Sequence, residues 1–235
     1  MLTGVDLTSY GPDLPGKPTL GQLVERILTH VPELPRLRLS SLDCIEIDDR
    51  LFDLVTGEAR VMPHLHLSLQ SGDDMILKRM KRRHARAEAV DLIARIKAKR
   101  PDVAIGADII AGFPTETEAM FENSRALIAD CQIVHGHIFP YSPRSGTPAA
   151  RMPQVARAVV KDRASRLRSA AEAAKANWLA SLVGSRQRVI VEKDGRTAHA
   201  ENYALVQLTA DAVPGTIVDV TISGMKDAVL NAVPL

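Results

Sequence analysis

The chain has 235 residues, 46% hydrophobic and 25% charged, and a net charge of +2 at neutral pH. These values fit one or two ordinary globular domains and exclude disordered, fibrous and disulfide-stapled chains. No apolar run is long enough to cross a membrane, no signal peptide is evident, and two isolated cysteines suit a reducing compartment, so a cytoplasmic protein without a membrane partner is expected.

Met1 to Leu7 reads as the end of a buried strand running into a loop, which suggests a chain that starts inside a larger fold. Leu20, Leu23, Val24, Ile27 and Leu28 fall at helical spacing, and Pro32 and Pro35 end that helix. Residues 36–40 alternate as a short strand, and 48–55 form a helix stopped at Gly57. His64 to Gln70 alternates leucine with polar residues, the pattern of a half-buried strand. Helices follow at 73–82 and 85–99, then a nearly continuous apolar strand over 103–111. Thr115 and Glu118 match a capping box, so the next helix starts there and runs to about Ala129. Residues 133–139 form a strand, 140–153 a proline-rich strap, and 154–182 a long Ala/Arg helix. After Gly184 the texture changes to short strands divided by Gly195, Asp211, Pro214-Gly215 and Gly224.

Alternating strands and helices imply parallel strands joined by crossovers. The expected architecture is therefore α/β: a partial (βα) barrel over residues 1–153 that lacks its first strand or strands. A connecting helix over 154–182 and a small OB-like β barrel over 183–235 complete it. A doubly wound sheet is the structural alternative.

In such folds the working residues gather where strands end. Those ends carry Thr3-Gly4-Val5-Asp6, Ser40-Ser41, Gln70-Ser71-Gly72, Asp108 with Gly112, and Pro140-Tyr141. Asp108 is the sharpest of them, because a carboxylate inside an apolar strand needs partners. A ribose diol would supply two donors, and an arginine or backbone amides would serve equally. Gly4, Gly72 and Gly112 could let a ligand approach the backbone, or could simply make turns. His64 with His66, and His135 with His137, are spaced to share a strand face, as packed pairs or as metal ligands; packing is the expectation, with no metal site. Six Lys or Arg without an acid lie in 78–86, and six against one acid in 151–168. Such runs fit a polyanionic partner or a solvated helix face.

Seven segments in order resemble the radical S-adenosylmethionine (SAM) methylthiotransferases that modify tRNA. They are LTGVDLTSYG (2–11), RLSSLD (38–43), HLHLSLQSGDDMILKRMKRRH (64–84), DIIAGFPTETEAMFENS (108–124) and HIFPYSPRSGTPAARMP (137–153), with GRTAHAENYALV (195–206) and PGTIVDVTISG (214–224) similar to a TRAM domain. The nearest subgroup acts on N6-threonylcarbamoyladenosine at position 37 of tRNA. The resemblance implies a radical-SAM barrel, SAM as cofactor and tRNA as partner. In that family a 4Fe–4S cluster cleaves SAM, the resulting radical abstracts hydrogen from C2 of adenosine, and sulfur and methyl are inserted. It further implies that Gly4, Ser40, Gln70, Arg82, Asp108, Gly112 and Tyr141 line the SAM site. Lys78, Arg79, Lys81, Arg83, Arg163, Arg166, Arg188 and Tyr203 would face tRNA.

The family carries two 4Fe–4S clusters, one held by a Cys-x3-Cys-x2-Cys motif and one by an N-terminal methylthiotransferase domain. Neither cysteine set stands in this sequence, whose only cysteines are Cys44 and Cys131. Thiolates are the cluster ligands, so the chain reads as the C-terminal part of such an enzyme and is expected to be inactive alone. A tRNA-binding scaffold without chemistry, a relative acting on isopentenyladenosine or on a ribosomal protein, and an unrelated barrel enzyme using Asp108 as a base are the competing readings.

Overall fold

The computed structural model describes residues 1–4 and 7–235. Val5 and Asp6, part of the first strand-end segment, lie outside the described residues. The chain divides into two compact units, Met1–Glu172 and Ala173–Leu235.

In the first unit, α1 (Leu20–His30) starts on a capping box between Thr19 and Gln22. It is followed by β1 (Ser41–Leu42), α2 (Asp49–Gly57), β2 (His64–Gln70), α3 (Asp74–Arg79) and α4 (Arg86–Lys99). Next come β3 (Ala104–Ala111), α5 (Glu118–Asp130), β4 (Ile133–Pro140) and the start of α6 (Arg157–Ser181). The four strands are parallel and stand in the order β1-β2-β3-β4. A doubly wound sheet reverses its strand order at a switch point; this sheet never does, which leaves the barrel-like winding.

Leu65, Leu67 and Leu69 of β2 are fully buried, as are Ile105, Ala107 and Ile109 of β3. Full burial of such a leucine contributes about 1.5–3 kcal/mol. The opposite face of β2 carries His64, His66, Ser68 and Gln70, all half-buried. Pairing of β2 with β3 and of β3 with β4 sets His66 beside Gly106, Gly106 beside His135, and Asp108 beside His137. One face of the sheet is thus apolar core, and the other is a polar floor.

Four local readings change. Residues 36–40 form no strand; Leu37 and Leu39 make single bridges to Val61 and Leu2, and the ladder begins at Ser41. The helix after β2 ends at Arg79, because Lys81 turns left-handed (φ 59°) and the Arg82 N–H closes on the Leu77 carbonyl at 2.9 Å. That is a Schellman closure built without glycine. Helix α5 is capped by Thr117, not Thr115; Thr115 sits in the preceding loop with φ 68°. A fifth barrel strand, Thr197–Ala200, appears where the sequence showed none.

The second unit is a closed barrel in the order β5-β6-β7-β9-β8, from β5 (Arg186–Val191), β6 (Thr197–Ala200), β7 (Leu205–Leu208), β8 (Ile217–Lys226) and β9 (Val229–Pro234). Val189, Ala198, Val206, Val220 and Leu230 fill its interior. Closure removes the open strand edges a small sheet would otherwise expose. Among the described residues, no helix is long and apolar enough to cross a membrane.

Candidate functional site

Gln70 ends β2 in the left-handed region, with φ 64°. A non-glycine residue held there is a marker of local demand. It lines a cavity of about 460 Å³ together with Asp108, Ile110, Tyr141, Arg144 and Thr147. The cavity lies at the carboxyl ends of β2, β3 and β4, where parallel sheets place their ligands.

Asp108 is the cavity's carboxylate. His66 Nε2 stands 3.0 Å and His137 Nδ1 3.3 Å from its Oδ1, and Oδ2 makes neither contact. Gly106 makes room for this arrangement, since a Cβ there would stand 2.7 Å from His66 Nδ1. Burial alone would push the Asp108 carboxyl up; the hydrogen bond and charge of His66, with His137 behind, outweigh it and hold the carboxyl below its ordinary range. Asp108 is therefore ionised at neutral pH and can only accept hydrogen bonds. The histidine pairs pack across strands, not along them: His64 against His135 at 5.3 Å and His66 against His137 at 4.7 Å. Deeper burial drives His64 down to about 3, so it is a neutral imidazole.

Tyr141 is fixed at the wall by its N–H to the Ala111 carbonyl (2.8 Å) and by an edge contact with Phe113. Its hydroxyl is buried and has no hydrogen-bond partner among the described residues. Arg82 donates to Asp43 Oδ2 (3.0 Å) and to the Ser68 carbonyl (2.8 Å). It borders a second cavity of about 360 Å³.

Gln70, Arg82, Asp108 and Tyr141 thus converge. Ser40 and Gly4 line neither cavity; the Ser40 hydroxyl is buried without a partner among the described residues, and Gly4 is exposed. Gly112 has φ 73°, and the space of its missing Cβ is filled by Val160 Cγ2 at 2.6 Å, so its lack of a side chain lets α6 approach closely. Gly72 likewise yields to Asn123 and Ser124 of α5.

The cationic residues separate in the same way. Lys78 and Lys81 are exposed, and Arg83 pairs with Glu46 on the surface. Arg79 is half-buried and lines the second cavity. Arg163 is buried, donating to Glu116 Oε2 (2.9 Å) and Glu118 Oε2 (3.1 Å), which leaves it no surface for a polyanion. Arg166 is bound to Glu118, Glu122 and Asp162. On the barrel, Arg188 is exposed, with Glu201 and Asp219 at 3.7 and 3.9 Å, and Tyr203 stacks on His199 at 5.0 Å. His199 therefore widens an aromatic surface that the sequence assigned to Tyr203 alone.

Among the described residues, two side-chain groups have metal-ligand composition: His66, Asp108 and His137, and Asp43, Cys44 and His84. In the second, burial pushes the Cys44 thiol up to about 12, so it is not a ready thiolate. The positioning residues missed from sequence are Glu116, which receives the Gly112 N–H at 2.9 Å, and Asp43, which fixes Arg82. Both meet their partners through long-range folding or a turn, and no local signal announced them.

A model of the radical SAM superfamily matches residues 11–128. The chain is 48% identical over 233 residues to the threonylcarbamoyladenosine tRNA methylthiotransferase MtaB of Rickettsia prowazekii (strain Madrid E). That alignment covers 99% of this chain and 55% of the relative, so the chain spans about half the relative's length.

Proposed function

The chain belongs to the radical SAM superfamily, and from that premise we propose that it is the SAM- and tRNA-binding portion of a methylthiotransferase acting on C2 of N6-threonylcarbamoyladenosine at position 37 of tRNA. The observation that carries this reading is the strand-end cavity with Asp108, Gln70 and the unpaired Tyr141 hydroxyl, in a chain 48% identical along 99% of its length to such an enzyme.

The residues present fit SAM. An ionised carboxylate with a free oxygen accepts both donors of a ribose diol, and an orphaned buried hydroxyl is a natural partner for a polar edge of the ligand. SAM, when bound, supplies the methyl group and the hydrogen-abstracting chemistry. This chain's residues bind and orient it: Asp108 at the ribose, Tyr141 and Gln70 along the wall. Asp108 suits this better than general-base work, since a base functions best with its pKa near the working pH. Cys44 and Cys131 do not fit an iron–sulfur cluster: both are buried, with thiols pushed up to about 12. On the barrel, Arg188, Tyr203 and His199 offer a charge and a stacking surface to tRNA, a combination used for single-stranded nucleic acid.

Calorimetric titration of the chain with SAM tests the reading. Asp108→Asn removes a charged acceptor worth about 1.5–3 kcal/mol, or roughly 10- to 150-fold in affinity. No SAM binding by the wild type, or an unchanged affinity in Asp108→Asn, would overturn it. Tyr203→Ala is expected to weaken tRNA binding by about 1–3 kcal/mol if it stacks a base.

A further inference from the structure

The second cavity shares Gln70, Ile110, Thr147 and Ala149 with the first. Its distinct wall is basic: Arg79, Lys81 and Arg82 border it, and among the described residues no acidic one does. Arg82 is committed to Asp43 and the Ser68 carbonyl. Arg79 is not committed. Its Nη1 is buried and has no hydrogen-bond partner among the described residues. A buried guanidinium nitrogen without an acceptor is unfavourable. Arg79 lines a cavity of ligand size, where a bound acceptor could give the guanidinium its partner.

Two adjoining cavities suit two molecules that must react with each other. The first has an acidic acceptor for a diol; the second has an unpaired cation. Resting on the function proposed above, we infer that the second cavity is a carboxylate subsite for the modified base, in which Arg79 pairs with the carboxylate of the threonyl group. An amino acid joined through its nitrogen and a carbamoyl to N6 keeps that carboxylate, and it is the only anion on the base. A guanidinium fork matches a carboxylate with two parallel bonds. An adenosine with an uncharged N6 substituent leaves Arg79 unpaired, and a site built around a polar partner rejects the analogue that lacks it. Arg79 is thereby the residue that separates a carboxylate-bearing substrate from an alkenyl one, in place of a contact to the tRNA backbone.

The test titrates the 235-residue chain with three probes: SAM, N6-threonylcarbamoyladenosine, and the methyl ester of that nucleoside, which differs by one charge. The acid is expected to bind at least tenfold more tightly than the ester in the wild type, a difference of about 1.4 kcal/mol. In Arg79→Gln the ratio falls to about twofold or less and SAM affinity is unchanged. Arg79→Lys keeps part of the ratio, and Arg125→Gln, a surface charge on α5, keeps all of it. The wild-type ratio needs no variant, so a folding defect in Arg79→Gln does not shelter the inference. Equal binding of acid and ester overturns it. So does a loss of SAM affinity in Arg79→Gln with the ratio intact, which would assign the guanidinium to the carboxylate of SAM. SAM binding without nucleoside binding overturns this inference alone; failure of SAM itself to bind overturns the proposed function as well.

Discussion

Replacing Arg163 with methionine separates a structural cation from an RNA contact. Arg163 is 5% exposed and donates to Glu116 Oε2, the Glu116 carbonyl and Glu118 Oε2. Glu116 also receives the Gly112 N–H, so one carboxylate ties α6 to the loop after β3. Arg163→Met leaves Glu116 buried without its counter-ion. Breaking a buried pair this way costs about 3–5 kcal/mol. Burial already raises the Glu116 carboxyl against the opposing pull of Gly112 and Arg163, so the orphaned group can take a proton and relieve part of the loss. About 3 kcal/mol is therefore expected, or roughly 6–12 °C in a unit of this size. Differential scanning calorimetry with far-UV circular dichroism reads it at pH 7. Arg166→Met, at a side chain 39% exposed, is expected to change stability by about 1 kcal/mol or less. Arg163→Met/Glu116→Gln should recover part of the loss, because no buried charge remains. If Arg163→Met left stability within about 1 kcal/mol of wild type and instead weakened tRNA binding with a shallower salt slope, the structural assignment would be refuted.

Gly112→Ala should destabilise by about 2–5 kcal/mol, from a left-handed backbone and the collision with Val160; adding Val160→Ala should relieve the collision alone, and a Gly112→Ala chain as stable as wild type would contradict the packing role. His64, held near 3 when folded against an ordinary value of 6.5, takes up a proton only on unfolding between those values. Stability should fall as pH drops through that window by about 1.4 kcal/mol per unit, and His64→Gln should flatten that component in urea titrations run from pH 7 to pH 4. Cys44 and Cys131 sit near 12, so their thiolate fraction is about a thousandfold below that of an ordinary thiol. Neither should react with a disulfide reagent until the chain unfolds, and a fast native reaction would count against their burial.

The parts of this molecule that were legible in its sequence are those governed by neighbours along the chain. The alternation of Leu65, Leu67 and Leu69 with His66, Ser68 and Gln70 declares a strand with one buried face, and Asp108 stands out because a charge in an apolar strand needs a reason. Thr197-Ala-His-Ala did not announce β6, since two alanines carry too little hydrophobic contrast; the closed barrel makes them core. Gly112 was visible as special, but its cause is Val160, far along the chain on α6. The cations of 151–168 look alike in one dimension. Only the return of α6 against Glu116 and Glu118 separates buried Arg163 from its solvated neighbours.

The polar floor of the sheet explains why the site lies at one end of it. At the start of β2, half-buried His64 packs against His135 and stays neutral, so its polarity is muted. Two residues on, His66 crosses the gap left by Gly106 and meets Asp108, where a charge becomes stable. Beyond that, Gln70 is held in a strained backbone and Tyr141 keeps an unsatisfied hydroxyl. A buried hydroxyl without a partner is unfavourable in a folded protein unless something binds it, and the Tyr141 hydroxyl lies beside Asp108 and Gln70 in the strand-end cavity. A ligand that gave the hydroxyl its partner would meet the Asp108 carboxylate in the same cavity, which is the physical reason to expect Asp108, Tyr141 and Gln70 to act together rather than singly.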